Sequence, residues 1–108
     1  MIVKCRKPTE EYHFFSLIFK PIHFFDCPID TKFKSIRCRE TKIGNFVCDL
    51  MRKFHSAHVA ILNSGTLRSD QIYEPQEMTV GDWVTINPYR KDVDLVEGTG
   101  EVLMEVLE

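Results

Sequence analysis

Apolar positions recur with helical spacing in one stretch of the chain. Ile43, Phe46, Val47, Leu50, Met51 and Phe54 fall at i, i+3, i+4, i+7, i+8 and i+11, which lines one face of an α-helix. The pattern predicts a helix from about Lys42 to His55. Glu40 or Thr41 stands at its start, where a polar cap or a negative charge is favoured, and Arg52, Lys53 and His55 in its last turn complement the helix dipole. Gly44 in the first turn costs up to about 1 kcal/mol against alanine, so its presence predicts close approach of a neighbouring strand or a ligand. The next apolar run, Val59 to Leu62, predicts a buried strand over 58–62, which empties into a polar loop over 63–77. A second helix is expected at Thr79-Val80-Gly81-Asp82, a Thr with a carboxylate three residues on. It should carry Trp83, Val84 and Ile86 and stop before Pro88.

The remaining patterns are shorter. Phe33, Ser35 and Arg37 alternate with Lys34, Ile36 and Cys38, which predicts a strand. Pro28-Ile29-Asp30 reads as a turn or extended entry. Asp94 to Glu97 reads as a short strand, and Gly98-Thr99-Gly100 as a turn with Thr99 as N-cap. Glu101 to Glu108 reads as a helix with Val102, Leu103, Val106 and Leu107 on one side. About two turns of amphipathic helix are marginal alone, and the final glutamate reads as a truncation point. Residues 1–25 form a separate compositional block with no assigned structure. Within it, His13 to Phe25 is rich in aromatic and aliphatic residues but is broken by Lys20 and Pro21. It is too short to span a bilayer, and it is sticky if exposed, which leaves self-association open.

Size and charge narrow the classes. The chain has 108 residues, of which 44% are hydrophobic and 28% charged, a globular composition with room for one domain. A net charge of −2 gives no support for binding nucleic acid or a membrane surface. Met1 to Tyr12 is polar and mixed in charge, unlike a signal peptide, so a cytoplasmic location is favoured. Cys5, Cys27, Cys38 and Cys48 include no Cys-x-x-Cys pair, which argues against structural zinc. Free cysteines in a reducing compartment are expected, with Cys48 as a buried thiol on the long helix.

The chemistry-bearing patterns are few. His55-x-x-His58 has metal-ligand spacing, but no carboxylate or third histidine lies nearby and a helix boundary is expected between the two. They read as capping or surface histidines. No Gly-x-Ser-x-Gly, P-loop or Rossmann glycine pattern occurs. Trp83 reads as core. The stretch Asn63-Ser64-Gly65-Thr66-Leu67-Arg68 is different. It places an amide, hydroxyls, a glycine and a guanidinium after an apolar run, the place where ligands bind in open α/β sheets. An Asn and an Arg there suit an anionic, hydroxyl-rich ligand.

Three segments together carry a resemblance. Arg37-Cys38-Arg39-Glu40-Thr41-Lys42-Ile43-Gly44-Asn45 precedes the long helix, Asn63 to Asp70 follows the apolar run, and Asn87-Pro88-Tyr89 follows the second helix. In order and spacing these resemble the C-terminal domain of the 5′-nucleotidase family. Its pattern is an Arg, then Glu-Thr-Asn-x-Gly-Asn, then Asn-(Gly/Ser)-Gly-x-(Ile/Leu)-Arg, a Thr-x-x-Asp helix start, Leu-Pro-Phe, and a Thr-Gly turn before a Leu-rich helix. Thr79 to Asp82, Pro88-Tyr89 and Thr99-Gly100 fill the last slots. The resemblance covers roughly residues 26–108, so the chain is expected to be a truncated 5′-nucleotidase C-terminal domain behind an extension of residues 1–25. It implies an α/β fold, a mixed sheet with packed helices.

The resemblance also implies roles. Arg37 would bind substrate, Asn63 the phosphate or sugar region, and Arg68, which closes the second motif, the same ligand. Tyr89 would stack on the nucleobase, and Gly44 and Gly65 would let backbone approach the ligand. Guanidinium forks match phosphate oxygens and stay charged. The implied function is substrate recognition for dephosphorylation of a nucleoside 5′-phosphate or a related phosphomonoester. In the family, the chemistry belongs to a separate N-terminal domain holding two divalent metals. Its Asp-x-His, Gly-Asn-His-(Asp/Glu) and Gly-His-x-His signatures are absent from this chain. No cofactor is therefore expected here, the isolated chain should be inactive, and no catalytic residue is assigned. Lys42 stands where the family has Asn, Tyr89 where it has Phe, and Asn87 where it has Leu. The second stacking aromatic lies beyond Glu108 in the family pattern, so binding should be weak. A silent ligand-binding or interaction domain and a non-functional gene fragment are the alternatives.

Overall fold

A computed structural model of the chain describes residues 17–89 and 91–108. The elements run β1 (Pro21–Phe25), β2 (Ile29–Asp30), α1 (Phe33–Ile36), α2 (Lys42–Phe54), a 3-10 turn (Ser64–Thr66), β3 (Ile72–Tyr73), β4 (Gln76–Thr79), α3 (Val80–Ile86) and α4 (Gly100–Leu107). Helices are combined with small sheets, the expected α/β character. In place of one mixed sheet, the described residues form two antiparallel pairs, β1–β4 and β2–β3. Phe25 faces Gln76 and Phe24 faces Glu77, with an irregularity between Pro21 and His23, while Ile29 faces Tyr73.

The long helix forms as its periodicity predicts. Thr41 is its N-cap and accepts a hydrogen bond from the Gly44 N–H at 3.3 Å, and Ile43 and Val47 are buried. The helix ends in a Schellman arrangement. The Ser56 N–H donates to the Lys53 carbonyl, the Ala57 N–H donates to the Arg52 carbonyl, and Ser56 sits at φ 52°, a conformation usually given to glycine. The face is only partly covered, since Leu50 is exposed and Phe54 is 84% exposed. The core combines Ile29, Ile36, Ile43, Val47, Leu67, Tyr73, Met78 and Ile86. Against one flank of it, His23, Phe25 and Phe46 form an aromatic triangle with centroids 4.7–4.9 Å apart.

Four expectations are corrected. Residues 33–38 do not form a strand: Phe33–Ile36 is a helical turn. Ser35 and Ile36 are both buried, an arrangement that a half-buried alternating strand does not allow. Its free N–H groups are satisfied from outside, by Asp30 Oδ1 on Lys32 and Asp70 Oδ1 on Phe33, each at 2.9 Å. Residues 58–62 form no strand and join no sheet among the described residues. Leu62 packs on the core while Val59 and Ile61 are exposed, so the apolar run covers a surface without joining a sheet. The loop expected over 63–77 holds the turn, β3 and the start of β4, and Asp94–Glu97 is exposed and not a strand.

The glycine in close contact is also a different one. A Cβ on Gly44 would meet only the Oγ1 of its own cap, Thr41, at 3.2 Å, whereas one on Gly81 would meet the Ile18 carbonyl oxygen at 3.0 Å. The Val80 N–H donates to the Lys20 carbonyl beside it, so Gly81 lets the segment before β1 lie against α3. The α3 start is a complete capping box between Thr79 and Asp82, and the helix stops at Ile86, before Pro88. Ile86 is fully buried and Trp83 packs on the core, but Val84 is exposed. Thr99 caps α4 as expected, yet its apolar side chains Val102, Val106 and Leu107 are exposed. Of the sticky N-terminal stretch, Ile22 and Phe24 are exposed on β1, and positions 13–16 lie outside the described residues. Among the described residues no helix is long and apolar enough to cross a membrane.

Candidate functional site

Two segments far apart in sequence are bound together beneath the candidate residues. Thr31, fully buried, exchanges backbone and side-chain hydrogen bonds with Gln71, and its Oγ1 lies 2.6 Å from the Ser69 hydroxyl. The Asp70 carboxylate accepts the Phe33 N–H, with Asp70 itself at φ 51°. The start of α1 is thereby fixed against the loop that carries Arg68. One residue before Ser69, the Arg68 N–H donates to the Ile86 carbonyl at 2.7 Å. That bond draws the same loop to the end of α3, just ahead of Tyr89.

Three of the five candidates meet as a result. The Arg37 guanidinium lies 4.4 Å from the centroid of the Phe33 ring, and that of Arg68 lies 5.5 Å from the same ring. Arg68 is also 6.0 Å from the Tyr89 ring, and the Lys91 ammonium is 5.6 Å from it. All four distances fall within cation–π range. Arg37, Arg68 and Tyr89 are exposed, so the guanidinium forks and the Tyr89 ring face solvent together.

Asn63 and Gly65 take a different place. Asn63 Oδ1 accepts the Gly65 N–H at 3.0 Å, and its carbonyl accepts the Thr66 hydroxyl at 2.8 Å. These bonds build the 3-10 turn, which leaves Nδ2 as the group a ligand could use. A Cβ on Gly65 would meet Asn63 Oδ1 at 3.3 Å, so its small size serves this turn. No aromatic or ionic contact joins Asn63 to the arginines among the described residues. Ser64 in the turn lines a shallow cavity of about 180 Å³ against the α2 start, with Arg39, Thr41, Gly44 and Cys48.

Behind the site, Asp30 organises α1. Its Oδ2 accepts the Ser35 hydroxyl at 2.6 Å and lies 3.4 Å from the Arg39 guanidinium. The Ser35 hydrogen bond above all, then the Lys32 amide and the charge of Arg39, hold this carboxyl below its ordinary value. Cys27, Cys38 and Cys48 are free, and Cys5 lies outside the described residues. Burial, aided by Asp49, pushes the Cys48 thiol up. His55 ends α2 while His58 is exposed beyond it. Among the described residues no group of three His, Cys, Asp or Glu side chains could hold a metal ion.

Phe33 and Lys91 are the site residues that sequence reasoning missed. Phe33 and Arg37 are spaced i, i+4, the signal of a helical pair one turn apart. Read as a strand, the same spacing separates them by about 13 Å, which hid their contact.

The comparisons with known proteins agree with the motif order. The family described as 5′-nucleotidase, C-terminal domain, matches residues 24–108. The trifunctional nucleotide phosphoesterase protein YfkN of Bacillus subtilis (strain 168) is 26% identical over 91 residues, 81% of this chain. The chain spans 6% of the length of that relative. No solved structure matches. The match takes in Arg37, Asn63, Gly65, Arg68 and Tyr89 together with every element from α1 to α4, and on it this chain belongs to the 5′-nucleotidase C-terminal domain family.

Proposed function

We propose that residues 26–108 recognise a nucleoside 5′-phosphate or a related phosphomonoester, as the substrate-holding part of a 5′-nucleotidase-type hydrolase. The observation that carries this reading is the chain of contacts in which Arg37 and Arg68 share the Phe33 ring and Arg68 also reaches the Tyr89 ring. Arg37 and Arg68 supply forked, permanently charged donors that suit phosphate oxygens. Tyr89 supplies a half-exposed ring on which a planar base can stack with little demand on its identity. Asn63 offers Nδ2 to a sugar or phosphate oxygen at the far side of the turn, and Gly65 keeps that turn tight. Residues 1–25 act as an extension to this domain, although β1 within them pairs with β4.

Hydrolysis needs an activated water and a clamp on the phosphoryl oxygens, which two divalent metals supply in such hydrolases. In this reading they belong to a separate N-terminal domain, and this chain alone binds without turning over. Its location is cytoplasmic, and its exposed apolar residues allow self-association.

Titration of the chain with AMP and adenosine tests the binding. Saturable AMP binding is expected, and Tyr89→Ala should weaken it roughly five- to 150-fold, the worth of one base–aromatic stack of about 1–3 kcal/mol. Absence of AMP binding to the unaltered chain would sink the reading and leave the silent remnant. Incubation with AMP and Mn²⁺ tests the inactivity. Phosphate release that Arg68→Ala abolishes would overturn it.

A further inference from the structure

The geometry points to Phe33 as a positioning residue for the anion site: its ring holds both the Arg37 and the Arg68 guanidinium groups. Three observations carry this. Two guanidinium groups from separate segments lie over one ring, at 4.4 and 5.5 Å. The ring is partly buried, packed on the core. Its backbone is fixed by Asp70, two residues from Arg68, so ring and arginine move together. Like charges repel, and two exposed arginines have no reason to share a location unless something attracts both. The negative face of an aromatic ring does so without neutralising either charge. An ion pair would do the opposite and occupy the forks. No acidic side chain makes a salt bridge with Arg37 or Arg68 among the described residues, so both forks remain open to an anion. The ring also limits the rotamers of two long side chains before the ligand arrives, which lowers the entropy lost on binding.

This inference rests on the proposed nucleotide recognition for its ligand. It concerns the phosphate end alone, so Phe33→Leu should weaken AMP binding about three- to tenfold and leave adenosine binding unchanged. Phe33→Trp, which keeps an aromatic face, should restore AMP affinity. A merely structural role would lower both ligands together and show in the thermal midpoint. NMR gives a reading that needs no ligand. The Arg37 and Arg68 Nε–H resonances should lose their ring-current shift in Phe33→Leu and keep it in Phe33→Trp. If the unaltered chain binds AMP but Phe33→Leu binds it equally well, the platform is overturned and nucleotide recognition stands. If the unaltered chain binds no AMP, nucleotide recognition falls, and the Nε–H shifts alone decide whether the ring holds both arginines. Unchanged shifts overturn it.

Discussion

Thr79 and Thr99 start their helices with the same bond, a side-chain oxygen accepting the N–H three residues on, yet α3 and α4 end in opposite surroundings. α3 places Ile86 at 0% exposure and Trp83 against the core. α4, one residue longer, carries more apolar side chains and buries none of them fully, with Val106 65% exposed. Capping therefore decides where these helices begin, and tertiary partners decide whether their apolar faces are used. α3 has two such partners: the segment before β1, which Gly81 admits, and the Arg68 loop, which bonds to the Ile86 carbonyl. α4 has nothing comparable among the described residues.

The largest effect should come from the buried end of α3. Ile86→Ala removes atoms from a filled site and should cost about 2–5 kcal/mol in denaturant unfolding. Leu107→Ala on α4 should stay within about 0.5 kcal/mol. Equal losses would break the contrast and show α4 packed on the body in solution. The Ile86 carbonyl that accepts the Arg68 N–H belongs to the backbone and survives the substitution, so this loss reports the buried side chain alone.

The same contrast explains what could be read from the chain. The α2 face and both threonine caps are local signals, three or four residues apart, and the structure contains them. Phe33–Ile36 is held by the local Asp30 and also by Asp70, 37 residues from Phe33, which accepts the Phe33 N–H; no window around Phe33 holds the second contribution. β4 reads Gln-Glu-Met-Thr, with only Met78 buried, so its strand identity comes from β1 and not from its own pattern. Val59 to Leu62 shows the converse error: an apolar run is a strand only when a second strand supplies its hydrogen bonds. At the site, the motifs named Arg37, Arg68 and Tyr89. The contacts of both arginines with Phe33, and of Arg68 with Tyr89, depend on the Thr31–Gln71 and Arg68–Ile86 bonds, which no motif encodes.

The caps should give the next effect. Thr79→Ala breaks a reciprocal box on a packed helix and should cost about 1 kcal/mol. Thr99→Ala removes a single bond at 3.3 Å from a helix whose apolar side chains Val102, Val106 and Leu107 are exposed. It should lower α4 helicity and leave the unfolding midpoint unmoved. Hydrogen exchange separates the two. The Asn87 amide, bonded to the Trp83 carbonyl, should be protected to near the global stability, and the Leu103 amide only locally.

A smaller change is expected at the α1 end of the body. Asp30 is held below 3.8, its unfolded reference, so the folded state favours the carboxylate. The stability it gives is present above that value and is lost as pH falls through the lower, folded value. Asp30→Asn should lower the midpoint at pH 7, and the gap between variant and unaltered chain should close as pH drops below about 3.8. A gap that stays constant down to pH 2 would mean that the Ser35 and Lys32 bonds do not need the charge.

The smallest effect is the sharpest test of α4's independence. Glu101 and Glu105 stand i, i+4 on its surface, a like-charge spacing that disfavours the helix. Glu105→Lys turns this into a Glu-to-Lys pair in the favourable order and places a cation near the helix C-terminus, where the dipole favours one. About 0.3–0.5 kcal/mol of local helix stability should follow. If α4 folds by itself, circular dichroism at low temperature should show more helix while the global unfolding midpoint stays the same. If the midpoint rises with the helicity, α4 unfolds together with the body, and the apolar face that it leaves exposed is coupled to the core after all.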